Sequence, residues 1–161
     1  MVKIIYLHGL ESSQGGKKVD FLAKNNSVYA PMLDYNNDNE FIRIKNEIEI
    51  IKPDIIIGSS MGGYFAYLFG SLFSTSVILF NPAIHSRSTE INNTIRGKFP
   101  VKGLVILGEH DSIINPNTSI QMLKSQTNLQ IKVITGMKHR TPLEIFKNEV
   151  TSFLNLTHNL S

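Results

Sequence analysis

A serine hydroxyl, an imidazole and a carboxylate are weak reagents separately. When the imidazole shares the serine's proton and the carboxylate holds the imidazole, the hydroxyl becomes a nucleophile for acyl carbonyls. This chain carries those residue types in the order Ser60, Asp111 and His139. Ser60 stands in Gly58-Ser59-Ser60-Met61-Gly62-Gly63, with glycine two residues before it and two after. That is the Gly-x-Ser-x-Gly spacing of a nucleophile elbow, where the serine takes a sparsely populated backbone conformation and its flanks pass too close for side chains. Glycines and serines also cluster in ordinary turns, so the surroundings decide. Ile55-Ile56-Ile57 reads as a buried strand and Met61 through Leu68 as an apolar helix, which puts Ser60 at the corner between them. Ser59 lacks glycine at both flanking offsets and reads as a bystander.

Asp111 follows the apolar run Leu104–Leu107 in Gly108-Glu109-His110-Asp111. Glu109 is the competing acid, and the strand-Gly-x-x-Asp spacing favours Asp111. His139 closes Gly136-Met137-Lys138-His139 after a further apolar run, Ile131–Ile134. Its rivals are His8, His85, His110 and His158; His158 lies in the tail, His110 adjoins the acid, and His8 is suited to shaping a loop. His8-Gly9-Leu10 ends the first apolar run, Val2–Leu7, where a backbone N–H just past the glycine can meet a developing oxyanion. Here that donor is Leu10. Without the downstream elbow, the same pair would read as an ordinary turn with a surface histidine. No two histidines have metal-ligand spacing beside a carboxylate, so neither a metal nor a cofactor is expected.

These residues need elements to bring them together. Lys17–Lys24 reads as a helix and Ser27–Leu33 as a strand interrupted by Pro31, the mark of an edge or a strand end. Asn37–Ile51 repeats Phe41, Ile44, Ile48 and Ile51 at steps of three and four, an amphipathic helix stopped by Pro53. Val77–Phe80 reads as the next strand after the elbow helix. Ile84–Pro100 is polar and weakly periodic, with room for one short helix; it leaves the same sheet edge as Ser60 and is positioned to wall a substrate pocket. It is too short for a separate cap domain, so an open, shallow site is expected. Asn115-Pro116 reads as a cap and first helical turn, and Thr141-Pro142-Leu143-Glu144 as a capping box opening a last helix that turns Leu143, Phe146, Val150 and Phe153 inward. Strands alternating with helices predict a parallel sheet of about six strands covered on both faces, with reactive loops at the carboxyl ends. Ser60, Asp111 and His139 each follow a predicted strand.

With 161 residues the chain fits one domain, 1–161, large enough for a real core. An apolar share of 42% against 18% charged residues argues against disorder and for a compact enzyme or binding domain. The net charge of +3 comes from scattered lysines, not a run or stripe, so nucleic acid is not an expected partner. Absence of cysteine removes disulfides, thiolate metal sites and a cysteine nucleophile, and it fits a reducing compartment; a cytoplasmic location is expected. Val2–Leu7 is too short for a membrane span and has no cleavage site after it, so no membrane association is expected.

Tyr6-Leu7-His8-Gly9 with Ser12-Ser13, Gly58-Ser59-Ser60-Met61-Gly62-Gly63-Tyr64, and Asn81-Pro82-Ala83 are specific blocks. In them the sequence resembles the α/β-hydrolases and, more closely, the small YqiA-like esterases of the UPF0227 family; the likeness extends through Asp111 and His139 over nearly the whole chain. The resemblance implies a minimal three-layer α/β-hydrolase fold without a cap domain. It also implies a Ser60, Asp111, His139 triad, an oxyanion hole from the N–H groups of Leu10 and Met61, and carboxylesterase activity on esters or thioesters of small or medium acyl groups, with a small-molecule acyl ester as partner. Two other classes stay open: a noncatalytic binding protein on the same fold, and acyl transfer or peptide hydrolysis on the same triad.

Overall fold

Strand sequences apolar at every position, not at alternate ones, are satisfied only in a sheet covered on both sides. The computed structural model, which describes residues 1–10, 12–86 and 99–158, has that arrangement. In chain order the elements are β1 Lys3–Leu7, α1 Lys17–Ala23, β2 Ser27–Tyr29, α2 Glu40–Ile51, β3 Ile55–Ser59, α3 Met61–Phe73, β4 Ser76–Phe80, β5 Gly103–Gly108, α4 Pro116–Leu123, β6 Leu129–Ile134 and α5 Leu143–His158. The six strands form one parallel sheet in the order β2-β1-β3-β4-β5-β6. This is the α/β architecture the sequence predicts.

The pleat divides each strand between two cores. Ile5, Leu7, Ile56, Val77, Leu79, Val105 and Leu107 pack with Ile44, Ile48, Phe65, Phe69 and Leu123 from α2, α3 and α4. Their neighbours Ile4, Tyr6, Ile55, Ile57, Ile78, Phe80 and Ile106 pack on the opposite face with Leu22, Phe146 and Val150 from α1 and α5. Full burial of side chains such as Phe65, Phe69 and Phe146 contributes about 2–3 kcal/mol each. Right-handed crossovers account for the division of helices. The chain steps from β1 outward to β2 through α1, then returns past β1 through α2 to β3. This reversal leaves a crevice between the carboxyl ends of β1 and β3, the place where open sheets of this kind hold ligands.

Differences from the sequence reading are local. β2 stops at Tyr29, before Pro31, as an edge strand of three residues. α2 starts at Glu40 and not at Asn37, because Asp34 Oδ1 accepts from Asn36 N–H and Asn37 Oδ1 from Asn39 N–H, each at 3.0 Å. Those side-chain turns compete with the helix for the same backbone groups. α5 opens at Leu143, with the Pro142 carbonyl accepting from Phe146 N–H at 3.0 Å, and Ile145, not Leu143, joins the core. Of Ile84–Pro100, where the sequence leaves room for one short helix, residues 87–98 lie outside the described residues. Among the described residues no helix is long and apolar enough to cross a membrane.

Candidate active site

At the end of β3 the chain turns through a corner that only glycine permits. A Cβ on Gly58 would lie 2.3 Å from the Gly62 carbonyl oxygen, and one on Gly62 would lie 2.1 Å from that of Leu7. Both distances are far inside contact, so hydrogen is the only substituent that fits. Between these glycines Ser60 has φ 53° and ψ −118°, a conformation that strains a residue with a side chain. Hydrogen bonds hold it there. Ser60 N–H donates to the Phe80 carbonyl, and the Ser60 carbonyl accepts from the N–H groups of Tyr64 and Ala83, all at 3.0 Å. Gly62→Ala is expected to cost about 3 kcal/mol of stability, read as a lower urea midpoint. An unchanged midpoint would mean that the corner opens freely.

The hydroxyl so presented meets His139. Nε2 of His139 lies 3.1 Å from Ser60 Oγ, and Nδ1 lies 2.8 Å from Asp111 Oδ2. The Asp111 side chain is fully buried, and its other oxygen accepts from the N–H groups of Ile113 and Ile114 at 2.8 Å each. A carboxylate can only accept, so Nδ1 carries the proton of the neutral imidazole. Nε2 is then left to accept from the Ser60 hydroxyl. Three side chains distant in sequence are thus brought into one chain of hydrogen bonds at the carboxyl rim.

The loop bearing His139 reaches this point through contacts the sequence reading assigned no role. Gly108, at the end of β5, comes so close to the 136–139 loop that a Cβ there would lie 2.5 Å from the Met137 carbonyl oxygen. His110 N–H donates to that same carbonyl at 2.9 Å. Asn81, buried at the end of β4 with φ 43°, ties the pieces together. Its Oδ1 accepts from Gly108 N–H at 2.7 Å, and its Nδ2 donates to the carbonyls of His139 at 2.7 Å and Lys138 at 3.2 Å. In the sequence Asn81 stood out only as a lone polar residue between a buried strand and a proline, and as part of the Asn81-Pro82-Ala83 block of the family resemblance, without a role.

On the other side of the crevice, a Cβ on Gly9 would lie 3.2 Å from Ser60 Cβ, so the loop after β1 runs directly alongside the hydroxyl. His8 is buried there and fixes the loop. Its Nδ1 donates to the Gly9 carbonyl at 2.8 Å, and its Nε2 accepts from Leu33 N–H at 3.0 Å. Ser12 N–H also donates to the Gly9 carbonyl, at 3.2 Å, and the Tyr35 hydroxyl donates to the His8 carbonyl. A trans peptide points its C=O and N–H in opposite directions, so holding the Gly9 carbonyl also sets the direction of Leu10 N–H. Met61 N–H, at the first position of α3, has no intrahelical partner. Among the described residues, no backbone carbonyl outside the helices and strands accepts from either group.

The segment carrying Leu33 and Tyr35 is anchored in turn by α2. Glu40 accepts from Asp34 N–H and from Arg43 Nε, both at 3.0 Å, and Arg43 Nη2 donates to the Met32 carbonyl at 2.7 Å. Burial alone would raise the Glu40 pKa, but the Arg43 guanidinium and the Asp34 N–H outweigh it and hold the carboxyl below its usual range. A carboxyl depressed on folding stabilises above its unfolded pKa of about 4.3 and loses that contribution as pH falls through the folded value. The stability gap between the parent and Glu40→Gln is therefore expected to be full at neutral pH and to narrow below about pH 4, followed by thermal unfolding. A gap constant with pH would count against this assignment.

The competing residues lie elsewhere. Ser59 Oγ is enclosed beside the Tyr6 phenol, whose pKa burial pushes up and this hydroxyl partly offsets. Glu109 accepts from Gly136 N–H at 2.9 Å and lies 3.6 Å from Nε2 of exposed His110. His85 Nε2 lies 3.1 Å from the Asn115 carbonyl. Ser60 and His139 open into a cleft of about 350 Å³ whose lining includes Leu10, Ile113, Lys18 and Arg140.

Comparisons with known proteins agree with this architecture. The model of the uncharacterised protein family UPF0227 matches residues 3–94. No curated protein matches the chain in sequence. Among solved structures, the chain is similar to a member of the alpha/beta superfamily from Xanthomonas campestris pv. campestris, with a TM-score of 0.75 at 17% identity, covering 96% of this chain and 99% of that one. It is also similar to Est1E from Butyrivibrio proteoclasticus, solved with ferulic acid bound, with a TM-score of 0.77 at 16% identity over 96% and 88% of the two chains. A monoacylglycerol lipase from Paleococcus ferrophilus gives a TM-score of 0.74 at 14% identity over 94% and 93%. At these identities the likeness is one of fold, and the fold is that of the alpha/beta hydrolases.

Proposed function

The chain belongs to the uncharacterised protein family UPF0227, and from that premise we propose that it is a serine hydrolase, cleaving carboxylic esters or thioesters of small or medium acyl groups through an acyl-enzyme on Ser60. The observation that carries this reading is the run of hydrogen bonds from Asp111 through His139 to Ser60, at 2.8 and 3.1 Å. A monoacylglycerol lipase among the proteins of like fold supports an acyl-ester substrate. In this reading residues 1–161 act as one domain, in the cytoplasm, with no cofactor.

As Ser60 Oγ bonds to the acyl carbon, its proton passes to His139 Nε2. The buried Asp111 carboxylate keeps the imidazole oriented and stabilises the positive charge it gains. The carbonyl oxygen becomes an oxyanion, met by the N–H groups of Leu10 and Met61; loss of one such donor typically costs on the order of 100-fold or more. His139 then gives the proton to the departing alcohol or thiol. Water next enters, loses a proton to His139 and displaces Ser60, which recovers its hydrogen as the acid leaves.

A fluorophosphonate probe tests the nucleophile, and matched esters, thioesters and amides test the bond. The expected result is one covalent adduct, on Ser60, with oxygen or sulfur esters turned over faster than amides. Folded protein that takes no label would instead be a binding protein. Preference for the amide would make it a peptidase, and release of the acyl group onto an added alcohol in place of water would make it a transferase.

A further inference from the structure

Lys18 lines the cleft that Ser60 and His139 open into, and it is half-buried, whereas Lys17, Lys24, Lys52, Lys102, Lys124 and Lys138, which also have no carboxylate partner among the described residues, are exposed. Lys45, Lys132 and Lys147 each meet a glutamate within 2.8 Å, and Lys3 donates to the Ile51 carbonyl. Lys18 has no carboxylate partner among the described residues. Its ammonium instead lies 5.2 Å from the centre of the Phe146 ring, part of the core beneath the sheet. Half-buried against apolar surface, the charge has lost part of its hydration, and burial draws its pKa down. A partly desolvated cation without a counterion raises the potential of the space it faces and favours an anion there. The described lining holds no carboxylate to satisfy it; Arg140, the other cation of the cleft, is engaged in an interaction of its own. Leu10 and Ile113, both more than half exposed or nearly so, supply apolar surface at the same opening.

We infer that the ester this site takes bears an anionic group, a carboxylate or phosphate, which seats at Lys18 while its apolar part lies along Leu10 and Ile113. This rests on the hydrolase reading above and names the substrate class for that same site. An ion pair in a partly dehydrated cleft gives discrimination of about tenfold or more between a charged ester and its neutral counterpart.

Matched pairs test it on the full-length protein. The 4-nitrophenyl ester of glutaric acid, with its second carboxylate free, is compared with the same compound methylated there. 4-Acetoxybenzoate is compared with its methyl ester. The first pair places the charge on the acyl side and the second on the alcohol side. At least one free acid should exceed its methyl ester in kcat/KM by about tenfold, with the advantage shrinking as salt is added. Lys18→Met, which keeps the stem over Phe146, should remove that ratio through KM; Lys18→Arg should retain most of it, and Lys17→Met, at the exposed neighbour, should leave it unchanged. The inference falls if Ser60 is acylated and neutral esters are turned over but neither free acid is preferred. It falls too if Lys18→Met leaves the ratio intact. If the fluorophosphonate probe finds no reactive Ser60, the hydrolase reading fails first and this inference with it. If Lys18→Met does not fold, the wild-type ratio and its salt dependence decide.

Discussion

Ser60→Ala is expected to lower kcat on any ester substrate by on the order of a million-fold, and His139→Ala to do nearly the same. The double variant should be scarcely worse than either. The reason is geometric: His139 Nε2 has its task only while Ser60 Oγ stands 3.1 Å away, and Ser60 is a poor nucleophile without it. Removing either ends a single proton transfer, and removing both cannot end it twice. Residual turnover would come from substrate binding and the oxyanion donors, which neither variant touches. Single-turnover kinetics on purified variants measures this directly. If the two losses instead multiplied, the residues would be acting independently, and the proposed relay would be wrong.

Asp111→Asn should cost about 10,000-fold in kcat while leaving the protein folded and KM little changed. Asp111 Oδ1 accepts two backbone N–H groups, from Ile113 and Ile114. An asparagine keeps both bonds by turning its carbonyl oxygen toward them, which aims its NH2 at His139 Nδ1. That nitrogen must then be the acceptor, so the imidazole proton moves to Nε2. A protonated Nε2 cannot take the proton of Ser60. The substitution is isosteric, and the loss would come from the tautomer alone. Near-normal kcat with the circular dichroism spectrum preserved would show that the acid is somewhere else, and Glu109 would be examined next.

Much of this arrangement could be read before the structure, because its signals are local. Strands alternating with helices announced a doubly covered sheet, and the glycines at 58 and 62 announced a corner that the Leu7 and Gly62 carbonyls indeed crowd. Asp111 and His139 could be placed at strand ends from short spacings. What escaped depends on contacts between segments remote in sequence. Asn81 bridges residues 27 and 58 positions away, and nothing in Asn81-Pro82 foretells either partner. His8 was assigned to a loop, but its second bond, to Leu33, crosses from another segment. Lys18 looked like one of many scattered charges. Only packing shows that, among the described residues, it has no acid partner of the kind that Lys45, Lys132 and Lys147 have. The late start of α2 escaped for a different reason, since asparagine and aspartate in its first residues favour turns as readily as a helix.

The two hydrogen bonds on the Gly9 carbonyl bear on catalytic economy. With His8 and Ser12 both donating to it, the Gly9–Leu10 peptide plane has its orientation before any ester arrives. A water dipole in the same place would have to rotate to greet negative charge, and that reorganisation would recur in every cycle. Here the work of aligning the dipole is completed once, as the chain folds, so in the proposed mechanism a nascent oxyanion would meet a preorganised field.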